Sequence, residues 1–298
     1  MIWVALAFMS AALLGCYDFF KKISLKENAV IPVLFLNTLF SALIFLPFIL
    51  LSRTGVIEAG MLHVPEAGWH VHIFLFIKAV IVLSSWICGY FAMKHLPITI
   101  VSPIQATRPV MVLLGALLLF GEQLNLYQWI GVSVAIVSFF LLGKSGKREG
   151  IDFQRNRWVA LVVAAAMLGA VSALYDKFLM SFLAPMLVQS WFNIYQAVLM
   201  AVIMLVLWYP TKESTTRFQW RWSILCISLF LGIADFCYFS ALAEQDALIA
   251  VVSMIRRGSV IVSFAFGALV LREKNLKSKA FDLLLIIIGL LFLYLGSK

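Results

Sequence analysis

Residues 98–122, ITIVSPIQATRPVMVLLGALLLFGE, return 151 positions later as IAVVSMIRRGSVIVSFAFGALVLRE at residues 249–273. Ile98/Ile249, Val101/Val252, Ser102/Ser253, Ile104/Ile255, Leu118/Leu269 and Glu122/Glu273 coincide. Each copy follows a short polar break and ends on a glutamate just before the last apolar run of its half. A looser likeness joins LLGCYDFFKKIS (13–24) to LGAVSALYDKFLMS (168–181). The chain therefore reads as one unit written twice.

The unit belongs in a bilayer. The 298 residues are 63% hydrophobic and 12% charged, against about 25% charged in soluble domains. A lipid core needs about 20 apolar residues per helix, and ten segments qualify: 2–20, 30–52, 72–93, 98–120, 126–143, 158–176, 185–209, 222–243, 247–271 and 280–296. They are too long and too continuously apolar to be barrel strands. Five spans per copy is an odd number, so the copies lie in opposite orientations. The fold class is all-α integral membrane, ten transmembrane helices in two inverted five-helix repeats: residues 1–143 and 158–298, joined by a basic loop over 144–157. Such a design places a substrate site at the repeat interface near the bilayer midplane. The first span has no basic leader or small-residue cleavage site and reads as retained.

Charge patterning assigns sides. Of 23 Lys and Arg residues, sixteen fall after spans 1, 3, 5, 7 and 9 and three on the other side. The positive-inside rule puts the odd loops in the cytoplasm and both termini outside an inner, plasma-type membrane. This topology, rather than nucleic-acid binding, accounts for the net charge of +9. Cys16, Cys88, Cys226 and Cys237 lie in apolar runs without zinc spacing, and His63, His70 and His72 form no complete ligand set. The Gly-Lys-Ser at 143–145 has Ser138 where a phosphate loop needs its first glycine. No cofactor is expected.

Beyond composition, the chain resembles the EamA family of the drug/metabolite transporter superfamily. The likeness rests on the two five-helix halves, on Gly121-Glu122 and Arg272-Glu273 closing the fourth span of each, on Pro109 within that span, and on Lys22 and Tyr175-Asp176-Lys177 closing spans 1 and 6. It implies secondary transport, without ATP, of amino acids, nucleotide-related metabolites, sugars or drugs. Members usually keep both termini in the cytoplasm, opposite to what the loop charges indicate here. They often carry an acidic residue before the fourth-span proline, where this chain has Arg108.

Lys78, Arg108, Arg256 and Arg257 remain inside the spans. An arginine at helix centre costs about 2.5–3.5 kcal/mol, so a polar cavity is expected around it. Arg256 shares its helix face with Ser253, Ser259, Ser263 and Gly267, whereas Arg257 shares one with Ala250, Ile261 and Phe264. Arg256 is therefore the expected cavity residue. Its repeat mate is Gln105, on a seam with Ser102 and Arg108. Pro109 lacks an N–H and is expected to break the helix there. Asn193 and Gln196 follow Gln189 at helical spacing. Trp86 and Tyr90 are candidates for stacking on an aromatic substrate, with ordinary packing as the alternative. Asp235, near a span centre, either neutralises an arginine or carries a coupling proton. Asp18 with Lys22, and Asp176 with Lys177, are read as ion pairs near span ends, with Asp18 a second proton candidate. Lys78 and Asp282 are read as interfacial anchors.

The expected function is a secondary transporter of a small metabolite such as an amino acid, working by alternating access as a monomer or homodimer. The alternatives are a non-transporting receptor or lipid-handling scaffold, and an intramembrane enzyme. For the last there is no H-E-x-x-H, no paired Ser and His within spans, and no metal cluster.

Overall fold

The computed structural model describes residues 2–60, 62–108, 110–111, 125–147, 151–153, 155–180, 182–243, 255–273 and 276–296. The helices in chain order are α1 (Ile2–Leu25), α2 (Val30–Arg53), α3 (Trp69–His95), α4 (Ile98–Ala106), α5 (Leu126–Lys147), α6 (Arg157–Met180), α7 (Pro185–Ile203), α8 (Ser223–Ala243), α9 (Ser259–Leu269) and α10 (Leu276–Gly296). A π-helical turn, Met204–Trp208, extends α7. No strand occurs among the described residues.

Why these segments are helices follows from their solvent. They are apolar all round, so side chains such as Phe8, Leu43, Val198, Leu205, Leu229 and Phe236 stand exposed on the outside of the bundle. Backbone polar groups in hydrocarbon must be satisfied within their own segment. Six of the helices are long and apolar enough to cross a membrane: α1, α2, α3, α6, α7 with its π turn, and α10. Shorter apolar stretches occupy Leu126–Ser138 in α5 and Ser223–Tyr238 in α8. The described parts of the fourth and ninth expected spans, α4 and α9, are 9 and 11 residues long.

Packing repeats the sequence's duplication. Helix α1 packs on α8 and α9, and α6, its counterpart, packs on α3 and α4. Helix α2 meets α7 and α8, while α7 meets α2 and α3; α4 meets α9, and α5 meets α10. Exchanging each helix for its counterpart five places on leaves this set unchanged, so the halves interlock about a pseudo-twofold.

The connections after α1, α3, α5, α7 and α9 gather at one end of the bundle. There Ser24 Oγ lies 2.6 Å from Ser223 Oγ, Asn28 donates to Gln219 O at 2.7 Å, and Lys94 donates to Thr216 Oγ1 at 2.8 Å. The Trp158 ring stacks on His95 with centroids 3.5 Å apart. At the opposite end Tyr195 and His72 share a 2.8 Å hydrogen bond, and Asn125 donates to Gly296 O.

Close helix crossings are made by glycine. A Cβ on Gly15 of α1 would stand 2.4 Å from Val262 Cβ and 3.0 Å from the Ser259 carbonyl of α9. Neither a β-branched core side chain nor a backbone can withdraw, so Gly15→Ala is expected to cost about 1–3 kcal/mol, read by thermal unfolding in detergent. An unchanged unfolding temperature would show the crossing to be looser than described.

Three charged residues lie deeper than expected. Lys78 is 6% exposed and pairs with Asp176, so it is no interfacial anchor. Asp282, read as another anchor, is 2% exposed. Lys279, assigned to a loop, sits within the first turn of α10, fully buried, and donates to Thr99 Oγ1 at 2.9 Å. Helices α3 and α10 begin at Trp69 and Leu276, earlier than hydropathy suggested, which sets these residues farther from the helix ends.

Candidate functional site

Both copies of the repeated stretch are broken at the same place. In the first, the Thr107 N–H bonds Ile104 O at 3.2 Å and Val110 N–H bonds Thr107 O at 3.0 Å. In the second, Gly258 N–H bonds Ile255 O at 2.8 Å and Ile261 N–H bonds Gly258 O at 2.9 Å. All four positions correspond at the offset of 151. These i to i+3 bonds tighten the helix locally, although Thr107 O also accepts the regular i to i+4 bond from Met111 N–H at 3.3 Å. Thr107 Oγ1 also takes Ile104 O at 2.7 Å, while a Cβ at Gly258 would lie 2.8 Å from Ile255 O. Pro109 itself lies outside the described residues; the break falls at Thr107, and Gly258 achieves it in the copy that has no proline. Discontinuous helices of this kind expose backbone groups at midplane sites.

An arginine flanks each break. Arg108 reaches across to α6, where a Cβ on Gly169 would stand 2.6 Å from its Cζ. Arg257 is opposed by the charges of Arg108 and Arg256. Among the described residues neither Arg108 nor Arg257 has a hydrogen bond or ion pair, although Arg108 stands within Coulombic reach of Asp18.

Arg256, expected to face the cavity, is instead neutralised. It pairs with Asp235 Oδ1, stacks its guanidinium 4.2 Å from the Tyr238 ring centre, and leaves Asp235 Oδ2 to accept from Gln189 Nε2 at 3.3 Å. The open charge thus moves one residue along, to Arg257. The pairing is the neutralising role that the sequence left open for Asp235.

Asp18 pairs with Lys21 at 2.7 Å, not with Lys22, and accepts from Ser263 Oγ at 3.2 Å. Lys21 lies 4.4 Å over Tyr17 and 5.5 Å from the Tyr90 ring centre. Lys22 caps the end of α3 through Met93 O at 2.7 Å and through Leu96 O; a cation there offsets unpaired terminal carbonyls. Asp176 pairs with Lys78 rather than Lys177, whose side chain lies outside the described residues. For Asp18 the partner is one residue nearer on the same helix, at i+3 rather than i+4; for Asp176 it comes from the neighbouring helix α3.

The remaining candidates divide. Tyr90 is 1% exposed and Trp86 packs partly buried against the same core cluster. Gln105 stands beside Gly89 of α3, with Oε1 lacking a partner. Asn193 donates to Gln189 O at 2.8 Å, a bond within α7. Gln196 is fully buried with both amide atoms unpartnered, as are Ser102 Oγ and Asn37 Nδ2. Unmade bonds of this kind each cost about 1–3 kcal/mol, and groups that open and close around a solute are where they are retained.

Glu273 shows a role that its position as a repeat landmark did not reveal. Its carboxylate accepts the Ile98 N–H at 2.8 Å and the Thr99 N–H at 3.0 Å, and bonds the Thr99 hydroxyl. It caps the N-terminus of α4 from the end of α9, where negative charge is favoured. Glu273→Gln is expected to cost about 1–2 kcal/mol in thermal unfolding; no change would mean that water caps α4 as well. At the same end, Lys22, Lys26, Lys94, His95, Arg221 and the two glutamates Glu27 and Glu273 line a cavity of about 820 Å³.

Helices long and apolar enough to cross a bilayer, with apolar side chains exposed around them, define a multi-pass membrane protein. The EamA-like transporter family model matches residues 1–144 and 156–295, and the chain belongs to that family. An uncharacterized transporter in the cobO 3' region of a Sinorhizobium species is 28% identical over 142 residues, 47% of this chain and 95% of that protein. A probable 4-amino-4-deoxy-L-arabinose-phosphoundecaprenol flippase subunit ArnE of Aeromonas hydrophila is 36% identical over 53 residues, 18% of this chain and 46% of that subunit. A crystal structure shares the fold over 99% of this chain and 98% of its own, with a TM-score of 0.61 at 15% identity.

Proposed function

We propose that this membrane transporter moves a small organic metabolite by secondary, alternating-access transport through one ten-span chain. Residues 1–143 and 158–298 would act as two inverted halves rocking about the fourth-helix breaks. The observation that carries the reading is the matched discontinuity at Thr107 and Gly258, each beside an arginine, where α4 and α9 meet at the junction of the halves. Two packings that interchange under the pseudo-twofold supply inward-facing and outward-facing forms of nearly equal energy.

In this reading Arg108, Gln105 and Gln196 contact solute. Arg256 is paired with Asp235 beside the second break, and Asp18, which also accepts from Ser263, is the candidate for a coupling proton. The loop charges favour placing the basic cavity on the cytoplasmic side of the inner membrane. The purified chain in proteoliposomes is expected to accumulate a labelled solute from a panel of amino acids, dicarboxylates, sugars and organic cations. Accumulation should follow an imposed solute or proton gradient and should be lost in Arg108→Gln. Specific binding without flux across the whole panel would favour a receptor instead.

A further inference from the structure

Among the described residues, the surroundings of the two helix breaks hold an imbalance of charge. Lys21, Arg108, Arg256 and Arg257 share the two carboxylates of Asp18 and Asp235, and both carboxylates are already engaged, by Lys21 and by Arg256. Two guanidinium groups are left facing one another's charge at the two helix breaks. Like charges held together in a medium of low dielectric repel strongly, and a forked guanidinium is the group that best receives a carboxylate or phosphate. A basic cavity of about 820 Å³ opens at the loop end of the bundle among Lys22, Lys26, Lys94 and Arg221. Arg108 lies directly against Gly169 of α6, and its Nε is buried with no partner among the described residues.

We propose that Arg108 and Arg257 jointly bind the anionic group of the substrate, selecting a small dianion such as a dicarboxylate or phosphate monoester over a monocarboxylate, with entry through the basic cavity. Each break contributes one arginine, so the site is completed only when the two halves are apposed. Arg256 is excluded from it by Asp235. This inference rests on the transporter reading only for the word substrate.

The test is ligand-dependent thermal stability of the full chain in detergent, with succinate, inorganic phosphate and acetate at constant ionic strength against chloride. Succinate and phosphate are expected to raise the unfolding temperature in a saturable way, and acetate is not. Arg108→Gln and Arg257→Gln are each expected to weaken succinate binding at least about tenfold. The double variant Asp235→Asn/Arg256→Gln should keep it. Should Arg257→Gln fail to fold, Arg257→Lys keeps the charge without the fork, and weaker succinate binding at an unchanged ligand-free unfolding temperature is expected. Equal shifts from acetate and succinate, or succinate shifts indifferent to both arginines, would overturn the site. Succinate binding without flux would remove transport and leave the anion site. Flux of a neutral or cationic solute, indifferent to Arg108 and Arg257, would do the reverse.

Discussion

Asp235→Asn is expected to destabilise the protein by about 3–5 kcal/mol, the largest stability loss of any single change considered. Asp235 is the sole carboxylate in contact with Arg256 among the described residues, and the pair is mostly shielded, at 22% and 16% side-chain exposure. Removing the acid leaves a guanidinium inside an apolar bundle with only Tyr238 against it, a contact worth about 2 kcal/mol at most. Removing both charges with Asp235→Asn/Arg256→Gln should recover most of the loss, because breaking a buried pair costs far more than replacing it. Thermal unfolding of the three proteins in one detergent reads both expectations. A single variant within about 0.5 kcal/mol of wild type, the range of an ordinary surface change, would mean that Arg256 finds water or lipid headgroups.

Gly169→Ala is expected to have the largest effect on ligand binding for the smallest effect on stability. The new Cβ would stand 2.6 Å from Arg108 Cζ and 2.7 Å from Nε. What it meets is the free end of a long side chain, which can swing aside, and alanine is the better helix former by about 0.8–1.0 kcal/mol. The fold therefore survives while the guanidinium is displaced, and dianion affinity should fall at least about tenfold. Gly15→Ala makes the same chemical change against a residue that cannot move, and there the stability suffers instead. Isothermal titration with succinate beside a melting curve separates the two. An intact affinity in Gly169→Ala would place Arg108 outside the site.

How much of this was legible in the sequence depends on how local the cause was. The helical membrane class and the duplication could be read directly, since hydropathy and the match of 98–122 with 249–273 are properties of the chain itself. The grouping of the odd loops at one end follows from the same charge pattern. Partners were harder. Asp18 and Asp176 announced themselves as paired acids, yet Lys21 and Lys78 hold them: i+3 and i+4 partners on α1 compete for Asp18, and the partner of Asp176 depends on which helix packs alongside. The break at Gly258, beside Arg256 and Arg257, was not anticipated. The signal was present: Gly258 stands opposite Thr107 in the aligned copies, two residues before the expected proline break. Glu273 was visible as a repeated glutamate but not as a cap for α4, 174 residues away from Thr99.

The central claim, an interior that opens to each side in turn, is tested most directly by thiol access. Ser263, fully buried beside Asp18, is replaced by cysteine in a chain whose Cys16, Cys88, Cys226 and Cys237 have been changed to serine or alanine. In proteoliposomes, a membrane-impermeant maleimide should modify Ser263→Cys when supplied from either face, with succinate slowing both reactions. Modification from one face only, with and without succinate and under either direction of its gradient, would contradict alternating access around this site.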